Sequence, residues 1–333
     1  MDFEFGKSID SFILKKNLDK AESISEAKKN STFIEPGLRI DTCPICADEK
    51  RDYLQTIYRF EYYECSNCGV VYLANMPTDE QIEKIYNSQY YTNCNRKLYA
   101  SDNITGYRKK NIAEPKVEYI MPRLTTSQKN WLDIGCGIGE ILSVVTEKGY
   151  AAVGIETNDM EIEYGKTKFG VEILKLHINE ENIETLGNYG VISLFGLLEH
   201  VTDPHAVIGN LARLQKKNDN LIIEVPHFPS ISAYSQIAFP DHVNRMMLPP
   251  LHLFLFSLTS LQLLLEKYSY RIIHVWYFGQ DFYEFISTLA FFAPQLNDSE
   301  VYQKLSSMTN GLQQVIDQHR LSDEVLIIAK KLQ

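Results

Sequence analysis

No stretch of this sequence is long and apolar enough to cross a bilayer. Its most apolar run, Met246 to Leu258, holds two prolines and a histidine, whereas a spanning helix needs about 20 consecutive apolar residues. An excess of positive charge is also missing. Against 43 Asp and Glu stand 33 Lys and Arg, for a net charge of −10. A grip on a phosphate backbone takes clustered cations, so nucleic acid is not the expected main partner. The opening Met1-Asp2-Phe3-Glu4-Phe5 is acidic and shows no basic-then-apolar leader, which predicts a cytoplasmic location. Cysteine is scarce, six in 333 residues. In that compartment thiols act as ligands or stay free rather than form disulfides. Length and ordinary apolar content predict one large domain plus a small module.

What is present centres on Trp131-Leu132-Asp133-Ile134-Gly135-Cys136-Gly137-Ile138-Gly139-Glu140. An apolar run ends in an acid, then glycines stand at every second position, then a helical pattern begins. This predicts a buried strand, a tight turn and a helix start. Glycines there let the backbone approach a ligand with no Cβ in the way. A dinucleotide fingerprint has its third glycine where Glu140 stands, and Asp133 repels a pyrophosphate. A ligand bearing an ammonium and a sulfonium suits the turn better. A second strand, Ala151 to Ile155, ends in Glu156, placed to accept two ribose hydroxyls. A fourth, Val191 to Phe195, runs into Leu198-Glu199-His200-Val201 and Asp203-Pro204.

Asp133-x-Gly135-x-Gly137-x-Gly139 resembles the nucleotide-binding motif of class I S-adenosylmethionine (SAM)-dependent methyltransferases. The Glu199-His200 turn resembles that of ubiquinone-type and related small-molecule enzymes. The resemblance implies a SAM site built from Asp133, Gly135, Cys136, Gly137, Gly139, Glu156, Thr157, Phe195, Leu197 and Glu199, with Tyr107 and Arg108 as candidate contacts from a covering helix. It implies an α/β, Rossmann-like, mostly parallel seven-stranded sheet, its last strand antiparallel and inserted beside the fifth.

Upstream lie Cys43-Pro44-Ile45-Cys46 and Cys65-Ser66-Asn67-Cys68-Gly69. Two C-x-x-C doublets offer four thiolates to a tetrahedral zinc. With no open coordination position left, such a metal is structural. A small N-terminal zinc-ribbon module is therefore predicted at 41–75. It follows a charged extension, 1–40, in which Phe3, Phe5, Ile9, Phe12 and Ile13 fit one face of a short helix. After the module come a helix capped by Thr78 or Asp79, with Ile82, Ile85 and Tyr86 inward, and a helical linker and cofactor cap, 76–128. The methyltransferase domain takes 129–333, with insertions at 228–257 and 280–321. The order of zinc knuckles, linker and SAM domain resembles methyltransferases of sugar and polysaccharide pathways, including deoxysugar C-methyltransferases.

Ligands of open parallel sheets bind at the carboxyl ends of the strands, so the first insertion predicts an acceptor pocket, with Tyr234, Phe239, Asp241, His242, Asn244, Arg245 and His252 as candidates. Methyl transfer to oxygen or carbon needs a base, and histidine suits neutral pH. His200, His227, His242 and His252 are the candidates; His252 and His200 lead. Pro250 to Ser257 resembles a sugar C-methyltransferase segment in which a Glu-His pair precedes an aromatic and a serine. His252 matches its histidine, but Leu251 replaces the glutamate and Leu255 a tyrosine. O- or C-methylation of a sugar-like small molecule is the expected activity. An RNA methyltransferase that grips its substrate through the zinc module, or a non-catalytic SAM-fold scaffold, are the alternatives.

Overall fold

The computed structural model describes residues 2–4, 28, 31–32, 34–86, 102–177, 183–239 and 246–333. Its strands are β1 (Asp2–Glu4), β2 (Arg51–Ile57), β3 (Phe60–Cys65), β4 (Val71–Leu73), β5 (Asn130–Ile134), β6 (Ala151–Glu156), β7 (Glu172–Lys175), β8 (Val191–Phe195), β9 (Asn220–Pro226), β10 (Phe254–Leu255), β11 (Tyr270–Phe278) and β12 (Glu324–Lys331). The large sheet has the order β1-β11-β12-β9-β8-β5-β6-β7. β5 to β9 run parallel, and β12 lies antiparallel between β9 and β11. These are the seven strands that the resemblance implies, in a Rossmann-like order, with the antiparallel strand where it placed it. β1 adds a short parallel edge to β11. The helix expected through Phe3 is therefore a strand there, because the open rim of β11 offers unpaired backbone groups that an extended segment satisfies. Phe5, Ile9, Phe12 and Ile13 lie outside the described residues.

β9 is buried along its whole length. Leu221, Ile223 and Val225 face one core layer and Ile222 the other. Both faces are covered, so Leu221, Ile222 and Ile223 follow one another without polar alternation. No helix among the described residues is long and apolar enough to cross a membrane.

β2, β3 and β4 form an antiparallel sheet that β10 completes from the first insertion. The 41–75 module is therefore not closed within its own segment. Its Phe60, Tyr62 and Tyr72 share one core with Leu194 and Ile223 of the large sheet. In the linker, Thr78 caps the helix Asp79–Tyr86 reciprocally with Gln81, and Ile82 and Ile85 are buried. Residues 102–123 are helical but not one helix: Asp102–Arg108 passes through a π turn, Lys109–Ala113, into Glu114–Ile120 and a 3-10 turn. Pro115 removes a backbone donor just after the widened turn. The second insertion is helical, as expected (Asp281–Phe292, Glu300–Ser307, Thr309–Gln318).

Candidate functional site

Gly135, Gly137 and Gly139 all have positive φ, 66°, 53° and 79°, a region that glycine enters at no steric cost. The turn is tied to β6: the N–H groups of Gly135 and Cys136 donate to the Ile155 carbonyl at 2.8 and 3.1 Å. A Cβ on Gly137 would meet only Glu161 Oε2, at 3.9 Å, so the space over the turn is open. Leu197, from the β8 turn, closes over Gly135, where a Cβ would meet it at 2.9 Å. The Cys136 thiol packs inward against Gly154, so tightly that a Cβ there would lie 2.4 Å from its sulfur. Burial raises that thiol's pKa.

Glu156 stands at the tip of β6. Its Oε2 accepts the Gly137 N–H at 3.0 Å; its Oε1 accepts those of Thr157 and Asn158 at 2.6 and 3.0 Å. About three of a carboxylate's four lone-pair sites are thereby used. The residue fastens the glycine turn as well as offering an acceptor.

Asp133 lies buried beneath the turn. Trp131 Nε1 donates to Ser193 Oγ at 2.7 Å, and Ser193 donates to Asp133 Oδ1 at 2.5 Å. Burial pushes the Asp133 carboxyl up to about 7 despite the Ser193 bond. Because the folded-state pKa is raised, its contribution to stability is complete below the ordinary carboxylate range and is lost as pH rises toward 7. Ser193 was missed in the sequence. A lone polar residue inside an apolar strand was the available signal.

The covering helix is fixed by Arg108, whose guanidinium makes a two-point bond with Glu140 at 2.8 and 3.0 Å. Tyr107 is exposed beside it. A buried pair, Lys116 Nζ to Glu224 Oε1 at 2.6 Å, spans from Glu114–Ile120 to β9. The same ammonium lies 5.6 Å from the Phe195 ring centre. Nothing local marks Lys116 in the sequence.

The histidines divide. His227 is buried, with Nδ1 bonded to the Ser322 carbonyl at 2.9 Å, and burial pushes it down to about 4. The residue is 3% exposed and its ring packs on Tyr277 with centres 5.1 Å apart, so it presents no open face to an acceptor. Asp241, His242, Asn244 and Arg245 lie outside the described residues. His200 and His252 come together with ring centres 4.8 Å apart. His200 donates Nδ1–H to the Leu251 carbonyl and His252 donates Nδ1–H to that of Met246, both at 2.9 Å. Burial holds His200 down at about 4, in its neutral form. Glu199 joins them, its Oε1 3.6 Å from His200 Nε2. Its place is thus beside the histidines, and burial keeps its carboxyl well above the carboxylate range.

The four expected cysteines cluster, with Sγ separations of 3.6 Å for Cys43–Cys68 and 3.5 Å for Cys46–Cys65. Sulfurs tetrahedral about one zinc at 2.3 Å lie about 3.8 Å apart, so the cluster fits that ion. Each doublet ends in a tight turn with positive φ, at Ala47 and Gly69. His205 ties the first to the large domain by donating Nε2–H to the Ile45 carbonyl at 2.9 Å.

A family model described as a methyltransferase domain matches residues 105–275, just over half of the chain. The chain belongs to the methyltransferase-domain family. The chain shares its fold with magnesium protoporphyrin IX methyltransferase from Synechocystis PCC 6803 (TM-score 0.51, 12% identity, 76% of this chain and 100% of that one). Among curated proteins it is similar to the ubiquinone biosynthesis O-methyltransferases of Coxiella burnetii (29% identity over 110 residues, 32% of this chain and 47% of that one) and Saccharophagus degradans (28% over 111 residues, 32% and 47%). It spans about half the length of these relatives.

Proposed function

We propose that this methyltransferase moves the methyl group of SAM to a hydroxyl of a small-molecule acceptor. The turn after β5 carries the reading: three glycines with positive φ, open space above the second, and an acid at the tip of the next strand. SAM supplies an electrophilic methyl on a sulfonium. Gly135 and Gly137 bring bare backbone to its amino-acid end, Asp133 supplies negative charge for its ammonium, and Glu156 takes a ribose hydroxyl with its remaining lone pair. Leu197, Phe195 and Thr157 border the same cradle.

Transfer is an in-line displacement, so holding nucleophile, methyl carbon and sulfur collinear supplies much of the rate. His200 and His252 sit where the loops after β8 and β9 meet, the acceptor end of such a sheet. Oxygen is favoured over carbon as the nucleophile. The two polar residues of the sugar C-methyltransferase segment are leucines here. Leu255 is moreover buried in β10, paired with Val71, and offers an acceptor nothing. The relatives named above are O-methyltransferases of ubiquinone biosynthesis, and a phenolic hydroxyl therefore stands beside a sugar hydroxyl as acceptor. A screen of phenols and nucleotide sugars, read by release of S-adenosylhomocysteine, decides between them.

The four cysteines hold a structural zinc in this reading. A grip on RNA through the module is disfavoured because its two arginines and the adjacent Arg39 are paired with acids nearby: Arg51 with Asp41, Arg59 with Glu35 and Arg39 with Glu61. A scaffold has no need of an open glycine cradle.

The direct test is calorimetry with SAM. Glu156→Ala should weaken binding at least tenfold, since charge-assisted hydrogen bonds are worth roughly 1.5–3 kcal/mol each. Unchanged affinity would place the cofactor elsewhere. The affinity should also rise with pH through about 7 as Asp133 ionises, by at most about tenfold per unit, and Asp133→Asn should flatten that dependence. A profile with no slope near 7 in the wild type rules out pairing between Asp133 and the ammonium.

A further inference from the structure

We infer that Glu199, His200 and His252 form a second metal site, distinct from the four cysteines, for a divalent ion of the zinc, cobalt or manganese kind. The inference rests on the reading of this end of the sheet as the acceptor site. One carboxylate oxygen and one imidazole nitrogen from each histidine lie within 4.8 Å of one another. The residues come from two places far apart in sequence. Glu199 and His200 form the short turn after β8, and His252 arrives on the first insertion, where the neighbouring Leu253 N–H donates to the Glu199 carbonyl at 2.8 Å.

Two features point to a cation. The first is tautomer. A backbone carbonyl only accepts, so the bonds to Leu251 and Met246 place the proton of each ring on Nδ1. Nε2 is then the ligating atom of each imidazole. Metal-binding histidines are held in this way, with the other nitrogen donating to a carbonyl or carboxylate that fixes tautomer and ring plane. The second is Glu199 itself. Its side chain is 4% exposed, and its Oε2 is buried with no hydrogen-bond partner. Its Oε1 faces His200 Nε2 at 3.6 Å, beyond hydrogen-bonding range. A buried carboxyl oxygen with no hydrogen-bond partner is costly, and an ion between it and the imidazoles offsets that cost.

The donor set favours imidazole-and-carboxylate metals over calcium or magnesium, and three protein ligands leave a coordination position open. Donors on one ion at 2.0–2.2 Å lie about 3–3.5 Å apart, so closure about the ion draws the three side chains inward by about an ångström. The open position suits the acceptor hydroxyl, whose acidity a bound cation raises. The hydroxyl proton then leaves to solvent. The oxygen attacks the methyl carbon, an O–C bond forms as the C–S bond breaks, and sulfur keeps the electron pair as the neutral thioether of S-adenosylhomocysteine.

The experiment is metal counting on the full chain after exposure to Zn2+ and removal of loose ion. Two equivalents per chain are expected in the wild type and one in both Glu199→Gln and His252→Asn; Cys65→Ser should lose the other. Cobalt gives an independent readout that needs no variant to fold. Of two equivalents of Co2+ added to metal-free protein, one should show sulfur-to-cobalt charge-transfer absorption and the second should bind without it. One equivalent in the wild type, all of it with thiolate absorption, overturns the inference. So does a second equivalent that survives in both variants. A wild type with one metal whose His252→Asn variant loses turnover but keeps SAM affinity also overturns it and leaves the acceptor reading standing. Two metals, with turnover insensitive to loss of the second, support the site and overturn the acceptor reading instead.

Discussion

Cys65→Ser is expected to lose its zinc, to melt at a markedly lower temperature, and to turn over at least tenfold more slowly while binding SAM nearly as well as the wild type. Structural zinc contributes an apparent 10–16 kcal/mol or so in small modules, and the β2–β4 sheet is too small to hold a core alone. The loss reaches the histidines through named bonds. Tyr62 Oη donates to the His252 carbonyl at 2.8 Å. Leu73 N–H donates to the Leu253 carbonyl at 2.9 Å, and Ser257 Oγ to that of Cys68 at 2.5 Å. With the knuckles loosened, the segment that carries His252 loses one wall. The glycine turn keeps its anchors on β6 and is spared. Elemental analysis, a melting curve, SAM calorimetry and turnover check the four parts. Metal-free protein that melts and turns over normally refutes the structural role of the zinc.

His252→Ala should cut turnover by roughly 10²–10⁴-fold, the range for loss of a group that helps remove a proton, while SAM affinity stays within about threefold. His252 is far from the glycine turn in sequence, and its carbonyl and ring bond to Tyr62 and Met246. His200→Ala gives the contrast. It breaks the bond to the Leu251 carbonyl and removes a ring packed 4.8 Å from His252, so stability should fall together with turnover. Near-normal turnover in His252→Ala removes that residue from the chemistry.

The glycine turn, the alternating strands and helices and the paired cysteine doublets were legible because each is a local pattern, such as an acid and three glycines in seven residues, whereas the place of the antiparallel strand came only from the family resemblance. What stayed hidden depends on contacts distant in sequence. Glu199 reads as one more residue of a cofactor turn until the insertion brings His252 beside it. Glu156 reads as a free carboxylate at a strand tip, yet its oxygens hold three backbone donors, one of them across the glycine turn. His227 looked like an acceptor-side base until its bond to Ser322, 95 positions away, was seen. The second insertion docks through Asp281, which accepts the N–H groups of Ser232 and Asp323 at 2.9 Å, a role no spacing announces. β1 could not be foreseen from apolar spacing that suits a helix equally well.

The shared small sheet has a consequence for synthesis on the ribosome. Its fourth strand, β10, lies in the segment reached by the Tyr62–His252 bond, whose partners are 190 positions apart. A chain emerging from its N-terminus can gather the four cysteines early, but the free edge of β4 must wait for most of the large domain to be made. Until then that edge is open to pairing with a neighbouring nascent chain. A fragment ending near residue 75 would keep the same open edge permanently. Cutting the protein at the module boundary should therefore yield a zinc-loaded piece that self-associates, rather than a working half.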